Sequence, residues 1–199
     1  DLYWEPGGNP DLKPEFSSSG EAGLDYQNKK IHISGAWFMI KSDDLIQWRG
    51  LNGDLWSPVN VKNATNQGFE LSASYRYKRE DHAFDLRTNY DYTIATDDET
   101  GNQLIYVPKH RAGLILNYSW KKWSFNYNLQ YVGKVYITTS NSQTLDDYSL
   151  SDISVSRSVF KNLIDLNLRV NNIFNVDYQS VAYRPMPGIN YVFQINFKL

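Results

Sequence analysis

From Trp123 to Tyr131 every second residue is large and apolar (Trp123, Phe125, Tyr127, Leu129, Tyr131), and the residues between are Ser124, Asn126, Asn128 and Gln130. A period of two belongs to a β-strand, whose successive side chains leave by opposite faces; a helix would repeat every three to four residues. The rule returns in Phe84, Leu86, Thr88, Tyr90, Tyr92 and Ile94 against Asp85, Arg87, Asn89, Asp91 and Thr93. It returns again in Ile164, Leu166, Leu168 and Val170 against Asp165, Asn167, Arg169 and Asn171, and in Tyr191, Phe193, Ile195 and Phe197 against Asn190, Gln194 and Asn196. The pattern predicts an all-β chain, an antiparallel up-and-down meander of nine strands over 17–27, 30–41, 60–78, 82–96, 105–119, 123–137, 148–158, 163–172 and 189–199.

The connections alternate in length. Short turns are expected at 27–30, 79–81, 121–122 and 161–162. The links between them are longer and rich in Gly, Asn, Asp and Ser: SDDLIQWRGLNGDLWSPV, DDETGNQ, TTSNSQTLDD and NVDYQSVAYRPMPG. Tight turns at one end and long loops at the other are the layout of an outer-membrane barrel, and rings gather beside the short turns (Tyr118, Trp120, Trp123 and Phe125; Tyr75, Tyr77 and Phe84) as an interfacial girdle requires. A soluble β-sandwich, as in a carbohydrate-binding or adhesin module, also has alternating strands. It would turn the apolar face into a core between two sheets.

Composition narrows the classes. The 199 residues carry no cysteine, which excludes disulfides and thiolate metal sites. A net charge of −2 gives no overall basic footprint for nucleic acid or for an anionic lipid surface. Aromatics make up 15% of the chain while its mean hydropathy is −0.54, so many rings must coexist with much polar surface.

No catalytic constellation emerges, and the chain reads as a non-enzyme with no cofactor. His32, His82 and His110 lie on separate segments without metal-ligand spacing and read as structural. Asp43-Asp44, Asp97-Asp98 and Asp146-Asp147 stand at the bases of long loops, where calcium is one reading and solvated carboxylates the other. Trp48, Arg49, Trp56, Tyr106, Tyr136, Tyr183 and Arg184 fall in or near the long loops. Rings and guanidinium groups there are suited either to gripping a bulky ligand or to loop packing and an upper girdle. Asp85, Arg87, Asn126, Asn128, Gln130, Asp165 and Arg169 belong to the polar face and, in a barrel, to its lumen.

Several motifs carry a resemblance. NPDLKPE (9–15), entering a strand through two prolines, resembles the turn before a late barrel strand of TonB-dependent outer-membrane receptors. NVKNATNQGFELSASYRY (60–77) is similar to that family's Asn-x6-Gly-aliphatic-Glu-Leu strand, with Phe69 at the aliphatic position. YVPKHRAGLILNYSW (106–120) resembles its Val-Pro-Lys-His entry, LRVNNIFNVDYQ (168–179) its Asn-Leu-Phe-Asn strand with Ile173 for Leu, and PMPGINYVFQINFKL (185–199) its final strand, which here ends in Leu199 rather than an aromatic. The motifs run in the family's order along nearly the whole chain. The resemblance implies the C-terminal portion of a barrel of about 22 strands in the bacterial outer membrane. It also implies a plug domain and a TonB-contacting region outside this chain, with uptake of a scarce large nutrient of the ferric siderophore, cobalamin or haem type.

Overall fold

The structure is a computed structural model that describes residues 8–51, 55–160 and 163–197. Its strands are β1 (Phe16–Gln27), β2 (Ile31–Leu51), β3 (Leu55–Arg79), β4 (His82–Asp97), β5 (His110–Trp120), β6 (Trp123–Val132), β7 (Val135–Tyr136), β8 (Thr144–Leu145), β9 (Tyr148–Val159), β10 (Ile164–Asn171), β11 (Gln179–Val181), β12 (Arg184–Pro185) and β13 (Asn190–Phe197). Nine of them form one antiparallel sheet in chain order, β1-β2-β3-β4-β5-β6-β9-β10-β13, as the alternation predicts. The pairs β7-β8 and β11-β12 are small hairpins inside the loops. With each strand beside its sequence neighbour, the predicted short turns share one end of the sheet. Asn28 closes the first by accepting from the amides of Lys30 and Ile31 at 2.8 Å each, while Glu80 and Lys121 enter the next two turns at φ of 52° and 54°. The turn expected at Lys161-Asn162, and Leu199, lie outside the described residues.

Register carries the two-faced pattern unbroken across the sheet. One row reads Ile31, Tyr75, Leu86, Leu116, Tyr127, Ile153, Val170 and Tyr191, each directly opposite the next. No layer covers it. Among the described residues the buried hydrophobic ones are Ala64, Ala95 and Val135, whereas Leu24 is 85% and Phe193 64% exposed. A sandwich fails on this point, since it would pack this face against a second sheet.

Three boundaries differ from the sequence-based expectation. The stretch read as an eighteen-residue loop, SDDLIQWRGLNGDLWSPV, is mostly the far end of one long hairpin, in which β2 and β3 stay paired from Ile31 with Tyr75 out to Leu51 with Leu55. Backbone ladders need no hydrophobic alternation once they leave the region where the two faces meet different surroundings. The strand placed over 105–119 begins at His110, because Tyr106 takes φ 60° in a turn, and the strand placed over 123–137 stops at Val132 before the separate β7.

Among the described glycines, Gly68 has the least room for a side chain. A Cβ there would fall 1.9 Å from the carbonyl oxygen of Tyr92 on β4 and 3.1 Å from the Phe38 ring on β2. Gly68→Ala is therefore expected to destabilise the fold by about 1–3 kcal/mol through forced backbone displacement. A thermal melt unchanged from wild type would show that β3 and β4 part freely at this point.

Candidate functional site: two faces and a loop rim

Cross-strand partners place all seven predicted polar-face residues on one side of the sheet. One row runs Arg76, Asp85, Asn117, Asn126, Ser154 and Arg169; the next holds Ser74, Arg87, Ile115, Asn128 and Asp152. Gln130 stands opposite Gly113, and Asp165 opposite Ser158. Several of these groups pair with one another. Asp85 takes Arg76 Nε at 2.9 Å and Arg87 Nε at 2.8 Å, Asp152 takes Arg169 at 3.0 Å, Asn126 donates to Asn117 Oδ1 at 2.8 Å, and Ser158 donates to Asp165. Asp85 and Asp152 are about one-fifth exposed, whereas the three arginines stand more than half exposed above them. At these pairs the guanidinium groups stand outward over seated carboxylates. Asn128 and Gln130 border an open hollow of about 460 Å³ together with Arg87 and Asn89.

The opposite face carries two aromatic belts. Near the long loops, Phe69 lies 5.3 Å from Tyr92, and Tyr92 lies 5.1 Å from His110, whose Nδ1 is 2.8 Å from the Tyr90 hydroxyl. Near the short turns, His82 stacks on Tyr118 and Trp120, Tyr118 on Phe125, Trp123 on Phe125, and Tyr75 meets Phe84 edge-on. On β3 the belts are marked by Phe69 and Tyr77, on β4 by Tyr92 and Phe84, and on β5 by His110 and Tyr118. Each pair is eight positions apart, about 27 Å along a strand and nearer 20 Å after a tilt of about 40°. Leu71, Leu86, Leu114 and Leu116 lie between them. His82 and His110 are members of these belts, and His32 pairs with Asp25 on the polar face.

At the long-loop end the predicted loop residues divide. Tyr106, Tyr136, Tyr183 and Arg184 come together: the Tyr106 amide donates to the Tyr136 carbonyl at 2.9 Å, and the Tyr106 hydroxyl accepts from the Ala182 amide at 3.4 Å. Tyr183, at φ 65° and 89% exposed, tips the β11-β12 hairpin, with Arg184 exposed beside it. Trp48, Arg49 and Trp56 are not loop residues. Trp48 faces Pro58, Arg49 faces Ser57, and Trp56 faces Gly50 across the β2-β3 ribbon; the Arg49 side chain lies outside the described residues.

Sequence reasoning missed the cleft between the two loop hairpins, about 350 Å³ lined by Asp146, Asp147, Tyr148, Asp177, Tyr178 and Met186. The Tyr148 and Tyr178 rings meet at 4.7 Å across it. The available signal is the recurrence of Asp-Tyr, in DDY at 146–148 and VDY at 176–178.

The signature motifs prove to be staples at this end. Asn172, 5% exposed at φ 49°, accepts the Val176 amide at 2.8 Å, donates to the Val176 carbonyl at 2.9 Å and reaches the Pro187 carbonyl at 3.5 Å. Asn175 accepts the Ile189 amide at 2.9 Å, and a Cβ on Gly188 would strike its Oδ1 at 2.5 Å. The Asn-x-x-Asn and Pro-Gly motifs therefore lock the exit of β10 to the entry of β13. The NPDLKPE turn works likewise on the long hairpin. Asn9 donates to the Pro58 carbonyl, Glu15 accepts the Ile46 amide, and Asn60 accepts from the Lys13 amide while donating to the Lys13 and Asp44 carbonyls.

The acidic pairs serve the loops. Asp97 accepts the amides of Glu99 and Thr100 at 3.0 and 3.2 Å, closing a turn onto Gly101 at φ 69°, and Asp98 accepts the Thr65 hydroxyl at 3.0 Å. Asp44 takes φ 56° within β2, and Asp146 and Asp147 line the loop cleft. Among the described residues no group of three or more His, Cys, Asp or Glu is placed to hold a metal ion.

A nine-stranded meander with one polar face carrying ion pairs, one bare apolar face between aromatic belts, and loops on one rim is a section of outer-membrane barrel wall. The chain belongs to the family described as TonB dependent receptor-like, beta-barrel, which it matches over residues 1–173. It is 34% identical over 183 residues to the vitamin B12 transporter BtuB of Photobacterium profundum, covering 89% of this chain and 29% of that protein. It is 26% identical over 213 residues to the heme/hemopexin utilization protein C of Haemophilus influenzae, covering 90% and 29%. Among solved structures it superposes on the copper transporter OprC with a TM-score of 0.80 at 18% identity, over 96% of this chain and 32% of that one. On the ferripyoverdine receptor of the outer membrane of Pseudomonas aeruginosa the TM-score is 0.73 at 17% identity, over 94% and 27%. The chain thus spans under one third of the length of these proteins.

Proposed function

We propose that this chain is the C-terminal wall and rim of a TonB-energised receptor that imports a scarce, large nutrient of the cobalamin, haem or ferric siderophore class. One observation carries the reading: the same sheet joins a polar face with outward guanidinium groups to a rim of exposed rings. In such a receptor Arg76, Arg87 and Arg169 face the plug domain in the lumen, the belted face meets outer-membrane lipid, and the rim meets the nutrient. TonB acts through a region outside these strands. The nutrient class is supported by what the relatives are named for. The division of labour follows from rigidity, because strands hold the loops while the loops recognise.

The test is uptake of cyanocobalamin, haem and ferric siderophores by cells carrying the full-length receptor, with and without TonB. Import of one of these that requires both the receptor and TonB is expected; no receptor-dependent import of any of them overturns the reading. Once a ligand is found, alanine at Tyr183 or Arg184 is expected to weaken its binding about tenfold with barrel content unchanged. Trp48→Ala and Trp56→Ala test whether the β2-β3 ribbon shares in capture. Wild-type affinity in all four variants would move recognition to the plug or to other loops.

A further inference from the structure

A net charge of −2 hides an uneven distribution. Lys29, Lys30, Arg76, Lys78, Arg79, Lys121, Lys122 and Arg157 all lie at or beside the short-turn end, against the carboxylates of Glu80, Asp81 and Asp85 there. Three of these cations are seated on rings of the short-turn aromatic belt: Lys30 over Tyr77 at 5.6 Å, Lys121 over Trp120 at 5.5 Å, and Arg157 over Trp123 at 4.7 Å. Trp120 and Trp123 are cross-strand partners, and Trp123 is also opposite Arg157. Lys121 and Arg157 therefore flank a single tryptophan pair, with His82 stacked behind Trp120. Both cations are exposed, and neither takes part in the ion pairs found among the described residues.

We propose that Lys121 and Arg157, held over the Trp120-Trp123 pair, form a site for the phosphate of an anionic phospholipid in the leaflet at the short-turn end, which is the periplasmic one in a barrel of this layout. The assignment rests on the barrel reading. Charge and depth select the occupant together. Indole rings lodge at headgroup level, and a cation stacked on one is held at the height of the lipid phosphates. Arg157 offers a planar fork that matches two phosphate oxygens, and Lys121 adds a second positive charge. A free phosphate gains the charge but not the ring-lined acyl contact formed by Trp123 and Phe125.

The experiment is native mass spectrometry of the full-length receptor after exchange into phosphatidylglycerol, phosphatidylcholine or lipid-free detergent with inorganic phosphate. Wild type is expected to retain phosphatidylglycerol in preference to phosphatidylcholine, and phosphate is not expected to displace it. Each of Lys121→Gln and Arg157→Gln should lower that preference about fivefold, and the double variant more. Lys78→Gln removes the same charge at the same end but from the polar face, opposite Ala83, and should leave the preference unchanged. Equal retention of the two lipids by wild type would overturn the site, as would an unaltered preference in both single variants or an equal loss in Lys78→Gln. Displacement by inorganic phosphate would make it an anion site without lipid, which also overturns the proposal. Import of nutrient, measured in parallel, reports separately on the receptor reading.

Discussion

Leu129→Arg is expected to abolish most folded receptor in the outer membrane, while Asn128→Arg, one residue away, leaves it nearly intact. Leu129 is opposite Leu114 on β5 and Ser151 on β9, and Leu114 lies midway between His110 and Tyr118, which mark the two belts on its strand. An arginine there would meet hydrocarbon at mid-height, at a cost of about 2–4 kcal/mol. Asn128 points the other way, opposite Ile115 and Asp152, so its arginine would stand beside a carboxylate on the polar face. The measurement is the fraction of receptor in outer membranes that shows heat-modified gel mobility. Similar folded yields for the two variants would mean that the belted face does not meet lipid.

Asn172→Ala should be the most damaging substitution in the loops. The side chain is buried, it serves both the amide and the carbonyl of Val176, and its backbone holds φ 49°. Alanine leaves those groups unsatisfied in a site closed to water and dislikes the left-handed conformation, together about 2–4 kcal/mol. Asn172→Gly separates the two contributions, because glycine accepts the backbone angle but cannot make the bonds. Denaturant melts of the full-length receptor are expected to rank wild type above Asn172→Gly and Asn172→Gly above Asn172→Ala, with proteolysis in the alanine variant starting between 173 and 189. An alanine variant as stable as wild type would remove the staple from the account of this motif.

The strands were legible because their two faces meet different surroundings, which writes a period of two into Trp123–Tyr131 and Phe84–Ile94. The β2-β3 extension was not. Around Asp43, Asp44 and Gln47 the sequence lacks that alternation, while the backbone ladder continues. The aromatic clusters beside the short turns were foreseeable from proximity in sequence, since hairpin partners such as Trp120 and Trp123 are three residues apart. The cleft lined by Tyr148 and Tyr178 was out of reach, because thirty residues, including all of β9 and β10, separate those rings.

By itself, then, the sequence determined the number and order of strands in the main sheet, the facing of side chains within the regular ladders, and the family, since all of these follow from local alternation and from motifs read in order. Tertiary structure alone decided which loop residues share a rim. It joined Tyr106 to Ala182 and Tyr136, left Trp48 and Trp56 on a separate ribbon, and set Lys121 and Arg157 on either side of one tryptophan pair. The physical reason is that alternation constrains a side chain only relative to its own sheet. Where chains leave the sheet, position is set by a few long-range hydrogen bonds such as those of Asn60 and Asn172, and their partners are not encoded in any local pattern.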